Sequence, residues 1–367
     1  MKYIDGFRNG DAGRFLTKKI LASGEQLKRI GREISIMEVC GSHTMAISRF
    51  GIRDLLPENI KLLSGPGCPV CVTDTGYIDA AVKLADKGVI IATFGDMIRV
   101  PGSAESLADS RARGGDIRVC YSSSMAVDIA NDNPQKEVVF LAIGFETTMA
   151  PVTSLLTVVI NAGVKNLSLL TAYKLVPPAL DALISDPEVK VDAFICPAHV
   201  SAIIGSDAYK PYVEDFNVPC IVCGFEPLDI LYGVDNVASQ FVNGTVELVN
   251  QYSRVVKPEG NVNAQKVFEK YLEPVDAAWR GIGVIPASGM GIKKEYEKYD
   301  AAKRFSISIE GGKPQPGCLC GDVLKGKIIP PQCPQFGKSC TPSKPVGPCM
   351  VSSEGSCAAY YKYERHK

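Results

Sequence analysis

Short apolar runs recur along the first two-thirds of the chain, each closed by a loop that contains Gly, Pro or Cys: Ile34 to Val39, Ile60 to Leu63, Val89 to Phe94, Ile117 to Cys120, Val138 to Ile143, Leu167 to Leu170, Val191 to Ile195 and Cys220 to Val222. Between most of them lie roughly 12 to 25 residues of helical character, such as Asp79 to Lys87 and Pro178 to Ile184. Strands that alternate with helices predict an α/β fold whose mostly parallel sheet is covered on both faces. Ahead of the first run, Ala12 to Arg32 mixes charged and apolar residues at helical spacing and predicts an amphipathic helix. After Asn250 the strand signal fades, and Val262 to Leu272 and Lys293 to Lys303 read as helix.

The first four runs can be laid over the second four. Ile36 to Ala46 lines up with Phe140 to Ala150 at an offset of 104, while Gly102-Ser103 matches Gly205-Ser206 and Cys120 matches Cys223 at an offset of 103. Near-constant spacing in collinear order is what an internal repeat leaves behind, although any two βα units share some likeness. The expectation is two similar doubly wound parallel-sheet domains in tandem, 33–132 and 133–250. An N-terminal helical segment, 1–32, precedes them and a helical, Cys-rich domain, 251–367, follows.

Composition narrows the chemistry. Lys plus Arg and Asp plus Glu number 40 each, so no global field recruits nucleic acid or an anionic membrane. The N-terminus carries Asp5, Arg8 and Asp11 in place of a signal-peptide core, and no long uncharged apolar stretch occurs, so a cytoplasmic protein is expected. Thirteen cysteines in that setting point to metal binding or redox chemistry; an odd number cannot all pair within one chain. Six of them, Cys318, Cys320, Cys333, Cys340, Cys349 and Cys357, fall in the last 50 residues.

In parallel sheets, ligands bind beyond the carboxyl ends of the strands. The loops there are rich in reactive groups. The first carries Cys40 and His43, a thiolate and imidazole set suited to iron, zinc or copper, or to a nucleophile and its base. The second reads Gly65-Pro66-Gly67-Cys68-Pro69-Val70-Cys71, whose Cys-x-x-Cys supports a reversible disulfide or two soft metal ligands. A zinc site would need a second pair, and Cys220 with Cys223 is the available one. Asp96 and His199 occupy matching repeat positions and would form a proton-handling pair across a cleft, unless Asp96 caps a helix and His199 packs. Glu146, at a strand end, is a further candidate, or else an ion-pair partner of Arg99.

From Gly311 onward Pro, Gly and Cys dominate, and so few aliphatic residues cannot hold a fold without a cross-link. Four thiolates hold an iron–sulfur cluster, and irregular Pro- and Gly-rich spacing suits a backbone that curls around a cubane. Six cysteines leave two over for an adjacent disulfide. A zinc ribbon is the alternative, but paired Cys-x-x-Cys knuckles are absent from the tail.

Five collinear runs, Glu38-Val39-Cys40-Gly41-Ser42-His43-Thr44, Gly65 to Cys71, Thr93 to Gly102, Gly144-Phe145-Glu146-Thr147-Thr148 and the six-cysteine tail, together resemble the HypD family of hydrogenase maturation factors from about residue 11 onward. The resemblance implies a scaffold on which the Fe(CN)2CO group of nickel–iron hydrogenases is assembled, with a small HypC-type chaperone and a HypE-type cyanide donor as partners. It implies that Cys40 binds the iron, that His43 assists, and that Cys68 with Cys71 is a redox-active dithiol. It also implies two similar α/β domains and a cluster domain. The tail is further similar to the catalytic subunit of ferredoxin:thioredoxin reductase. That likeness assigns Cys318, Cys333, Cys340 and Cys357 to a 4Fe-4S cluster and Cys320 with Cys349 to the neighbouring disulfide. Electrons would then run from the cluster through Cys320 and Cys349 to Cys68 and Cys71. The rival reading is a stand-alone iron–sulfur disulfide reductase, for which the Cys40 and His43 pair has no use; a zinc module for partner binding is a third.

Overall fold

The computed structural model describes residues 5–309 and 312–365, so residues 1–4, 310–311 and 366–367 of the expected segments lie outside it. The first helix, Gly10–Arg29, starts where the Asn9 side chain accepts the amides of Asp11 and Ala12. All eight apolar runs are strands: β1 Ile34–Glu38, β2 Ile60–Ser64, β3 Ile90–Phe94, β4 Ile117–Cys120, β5 Val138–Gly144, β6 Leu167–Tyr173, β7 Ala193–Pro197 and β8 Cys220–Cys223. A short β9, Leu248–Asn250, follows. They form two parallel sheets, β2-β1-β7-β8-β9 and β4-β3-β5-β6. The α/β class with two parallel-sheet layers and a Cys-rich C-terminal region is as expected.

The strands are shared between the sheets in a way the sequence does not announce. The chain leaves the first sheet after β2, builds β3 to β6 in the second, and returns at β7. Strands β5 to β8 start 104, 107, 103 and 103 residues after β1 to β4. With that equivalence, the order β2-β1-β7-β8 matches β6-β5-β3-β4: each sheet takes the first two strands of one repeat and the last two of the other. The boundary at 132/133 therefore divides the repeats but not the sheets, because β3 pairs with both β4 and β5. The physical reason is that of domain swapping. Equivalent strands offer the same edges, so pairing within a repeat and between repeats satisfies the same hydrogen bonds.

Alternation along each strand sorts the core. Ile34 and Ile36 of β1, Ala193 and Ile195 of β7, and Ile221 and Cys223 of β8 face the helices Gly10–Arg29 and Pro227–Asn243. Met37, Phe194, Cys196, Cys220 and Val222 point the other way. There they share one continuous core with Val139, Leu141 and Ile143 of β5, the helices Thr75–Asp86 and Val176–Ser185, and the tail cysteines. The outer face of the second sheet, with Phe140 and Ala142, packs under the helix Glu146–Asn161. The tail is thus embedded in the core common to both sheets.

The expectation of helix alone after Asn250 is corrected. Val262–Tyr271 is helical, but Leu272–Trp279 and Gly283–Ile292 form an antiparallel hairpin, β10 and β11. Its strands are hard to read because Glu273 to Asp276 are solvent-facing and include Pro274, while β11 is built largely of small residues. The expected helix Lys293 to Lys303 is a 3-10 turn, Lys294–Tyr299, and a short helix, Ala301–Arg304, separated by the capping residue Asp300. Among the described residues no helix is long and apolar enough to cross a membrane.

Candidate functional site

The loops after β1 and β2 touch. Cys40 closes β1 and precedes the helix Gly41–Arg49, and the Gly41 amide donates to the Gly67 carbonyl at 2.9 Å. A Cβ on Gly67 would lie 2.2 Å from the nitrogen of Cys40 and 2.4 Å from its Cα, so only glycine allows the approach. Cys68, the next residue, therefore opens the dithiol loop beside Cys40. Its Sγ accepts the Cys71 amide at 3.2 Å across the short helix Pro69–Val72.

Burial, and then the nearby Glu354 carboxylate, push the Cys40 thiol up to about 12, with the amides of Ser42 and His43 at the helix start acting the other way. Such a group is a neutral thiol until a cation binds it, and coordination displaces the proton. Below it lies Glu38, fully buried, which accepts the Cys40 amide at 3.1 Å and the Thr44 hydroxyl. Burial raises its carboxyl to about 7. Above it lies Glu354, delivered by the tail, whose Oε1 accepts the Ser42 hydroxyl at 2.9 Å. A Cβ on Gly41 would lie 2.5 Å from the Glu354 Cβ.

His43 is buried, and its Nε2 lies 3.1 Å and 3.0 Å from the carbonyl oxygens of Cys223 and Gly224. Two acceptors there require the proton on Nε2, which leaves the buried Nδ1 lone pair without a partner. Burial lowers the imidazole to about 4, so the ring is neutral. Phe225 lies against both histidines, 4.7 Å from His43 and 4.2 Å from His199 between ring centroids. The turn that carries Phe225 is braced by buried Asp229, which accepts from Gln251 and Arg254 at 2.7 Å each. Glu38, Phe225, Asp229 and Glu354 escaped the sequence reading. Glu38 sits inside a motif already singled out, but nothing local to Glu354 signals its place over Cys40.

From the dithiol loop onward the thiols form a continuous series. Cys71 is in side-chain hydrogen-bonding contact with Cys68 and with Cys349 of the tail, and Cys349 with Cys320. Cys320 in turn lies with its Sγ 2.9 Å from that of Cys318. Burial, foremost, pushes the Cys71 thiol well above its usual value. All thirteen cysteines are free thiols.

Cys318, Cys320, Cys333, Cys340 and Cys357 line one cavity, with Leu319, Val323 and Phe336 among its apolar walls. Cys357 interacts electrostatically with the other three. Among the described residues no three His, Cys, Asp or Glu side chains converge closely enough to hold one metal ion. Thiols spread around an apolar cavity suit a multi-atom cluster with one thiolate per corner, and the five here fit a 4Fe-4S group with one to spare, Cys320 being the one that also contacts Cys349. Cys349 faces Cys71 and is not part of the lining.

Other candidates fall elsewhere. Asp96 is exposed on the turn Gly95–Met97 of the second sheet, and the carboxylate that acts on His199 is Glu354. The structure gives no contact between Asp96 and His199 among the described residues; their matching repeat positions follow β3 and β7, which belong to different sheets. Glu146 is buried and accepts the Val176 amide at 3.0 Å, which caps the helix Val176–Ser185, while its Oε2 has no partner. Arg99 instead donates to the Pro342 carbonyl. Cys220 and Cys223 stand on opposite faces of β8, one in the shared core and one under the outer helices, so they cannot complete a zinc site with Cys68 and Cys71.

The chain is similar to known proteins over its whole length. The family model described as "HypD: Hydrogenase formation hypA family" matches residues 15–364. The hydrogenase maturation factor HypD of Azotobacter vinelandii is 42% identical, with 100% of this chain and 98% of that protein covered. The proteins of the same name from Cupriavidus necator and Escherichia coli are each 41% identical, covering 100% of this chain and 98% and 99% of their own lengths.

Proposed function

Because this chain belongs to the HypD family of hydrogenase maturation factors, we propose that it is the scaffold on which the Fe(CN)2CO group of a nickel–iron hydrogenase is assembled, working with a HypC-type chaperone and a HypE-type cyanide donor. The carrying observation is the contact between the Cys40 loop and the dithiol loop, which sets the cluster of Cys40, His43 and Glu354 beside a thiol series leading to the tail. Iron is the cargo. In this reading Cys40 holds it as a thiolate, and the unpartnered Nδ1 of His43 offers an uncharged lone pair from the same helix. Glu354 and Glu38 take up or return the protons exchanged as the thiol is engaged.

The tail cysteines Cys318, Cys333, Cys340 and Cys357 would hold the 4Fe-4S cluster, which when bound supplies single electrons. The remaining thiols exchange among themselves. Cys349 as thiolate attacks Cys71 of a Cys68–Cys71 disulfide, and Cys68 leaves and takes a proton. Cys320 then attacks Cys349, releasing Cys71; the products are a Cys320–Cys349 disulfide and a Cys68/Cys71 dithiol, two electrons having moved. This keeps a dithiol next to Cys40, where cyanide delivered as thiocyanate on the partner must be separated from sulfur by two electrons.

The same thiol series favours a stand-alone iron–sulfur disulfide reductase as the second reading. Replacing Cys40 with Ala in the anaerobic complex with the chaperone separates the two. The scaffold reading expects the infrared bands of iron-bound cyanide and CO to disappear; undiminished bands would remove Cys40 as the iron anchor. Iron and sulfide analysis of the chain alone tests the cluster, and a colourless, zinc-containing protein would overturn it.

A further inference from the structure

Arg280, in the turn between β10 and β11, is only 5% exposed. Its main-chain amide donates to the Val72 carbonyl at 2.9 Å, one residue beyond Cys71. Nη2 donates to the Pro101 carbonyl at 3.1 Å, and Nη1 is buried with no hydrogen-bond partner. Among the described residues no carboxylate pairs with it. The next residue, Gly281, packs so tightly against the tail that a Cβ there would lie 2.4 Å from the Cα of Gly321, the neighbour of Cys320. The guanidinium is therefore fastened between the dithiol loop and the first tail cysteines.

An unpaired buried cation is unfavourable by several kcal/mol unless negative charge stands near it. The tail reaches the same spot just before its first cysteines: Gln315 donates to the Gly102 carbonyl at 3.0 Å, next to the Pro101 carbonyl that Arg280 holds, so the guanidinium is fixed where the chain enters Cys318 and Cys320. We propose that Arg280 is the fixed positive charge that holds up the reduction potential of the cluster held by Cys318, Cys333, Cys340 and Cys357. This rests on the cluster reading given above. A cubane with four thiolates carries net negative charge that deepens on reduction, so a cation fixed nearby stabilises the reduced form more than the oxidised one. Burial keeps salt from screening the effect.

The test uses the full chain, purified anaerobically, with iron and sulfide counted per chain and the midpoint potential read by spectroelectrochemical titration. Arg280→Met keeps the stem and removes the charge. The expected result is an unchanged cluster content and at least a tenfold fall in the equilibrium constant for reduction, about 59 mV for one electron. Arg280→Gln, which retains a donor for the Pro101 carbonyl, shifts the same way should the Met variant lose its cluster, and Arg280→Lys stays near wild type. Equal midpoints in wild-type and uncharged variants of equal cluster content would overturn the role of Arg280. Wild-type chain free of iron and sulfide would overturn the cluster reading and this inference with it.

Discussion

His43 donates its Nε2 proton to the carbonyl of Gly224 at 3.0 Å, joining the segment after β1 to the loop after β8 over the end of β7, which lies between them in the sheet. That bond fixes the tautomer and leaves the buried ring with one unpartnered lone pair, on Nδ1.

His43→Leu leaves the buried carbonyls of Cys223 and Gly224 without their donor, at a cost of about 1–3 kcal/mol. The urea midpoint drops accordingly, and the iron recovered in the chaperone complex drops with it because Nδ1 is gone. A wild-type midpoint would contradict the assigned tautomer.

Gly67→Ala forces a methyl group against the Cys40 backbone. Neither side can yield without opening the contact between the two loops, so the variant loses roughly 2–4 kcal/mol or fails to fold. Thermal unfolding decides this; native stability would mean the loops do not touch.

Glu146 produces a pH signature. Its folded carboxyl titrates near 7 against an ordinary 4.5 because of burial, so the folded state binds the proton more tightly than the unfolded one. The associated stability is complete below about pH 4.5 and is lost as pH rises through 7, by an amount on the order of 3 kcal/mol. Glu146→Gln stays uncharged and removes that part of the decline between pH 5 and 8. Glu38 contributes with the same sign. Lowered His43 contributes with the opposite sign, destabilising as pH falls from about 6.5 towards 4. Denaturant titrations at a series of pH values separate these, and an unchanged slope for Glu146→Gln would show that its carboxyl is not buried in solution.

Cys71 and Cys349 are each other's nearest exchange partners once Cys68 and Cys320 are removed. In the double variant Cys68→Ser and Cys320→Ser, mild oxidation joins Cys71 to Cys349, seen as a linked peptide pair in mass spectrometry without reduction. Failure to trap that pair, with both thiols still alkylable after denaturation, would break the proposed exchange route.

Much of the fold was legible because parallel strands buried on both faces write themselves as short apolar runs, and all eight were found at their places. The offset of the repeats also named the equivalent strands. The hairpin Leu272 to Ile292 was not legible, since its side chains neither alternate cleanly nor form an apolar run. Of the candidate site, Cys40, His43, Cys68 and Cys71 stood out as candidates because soft ligands in loops after strands have few structural uses, and the structure brings the Cys40 and Cys68 loops together. Asp96 and Glu146 were chosen by the same rule, yet one is exposed and the other caps a helix.

By itself, then, the sequence determined the eight buried parallel strands, which of them correspond, and which thiols are available, for these depend on local pattern and residue chemistry. Tertiary structure alone decided which strand pairs with which, since equivalent edges hydrogen-bond equally well within a repeat or between repeats. It also decided that Glu354 reaches the Cys40 loop, that Cys349 reaches Cys71, and that buried Arg280 keeps an unpartnered Nη1 where its neighbour Gly281 packs on the tail. Those contacts join segments far apart in the chain, and no local pattern encodes a meeting that only the packing of both sheets around the tail brings about.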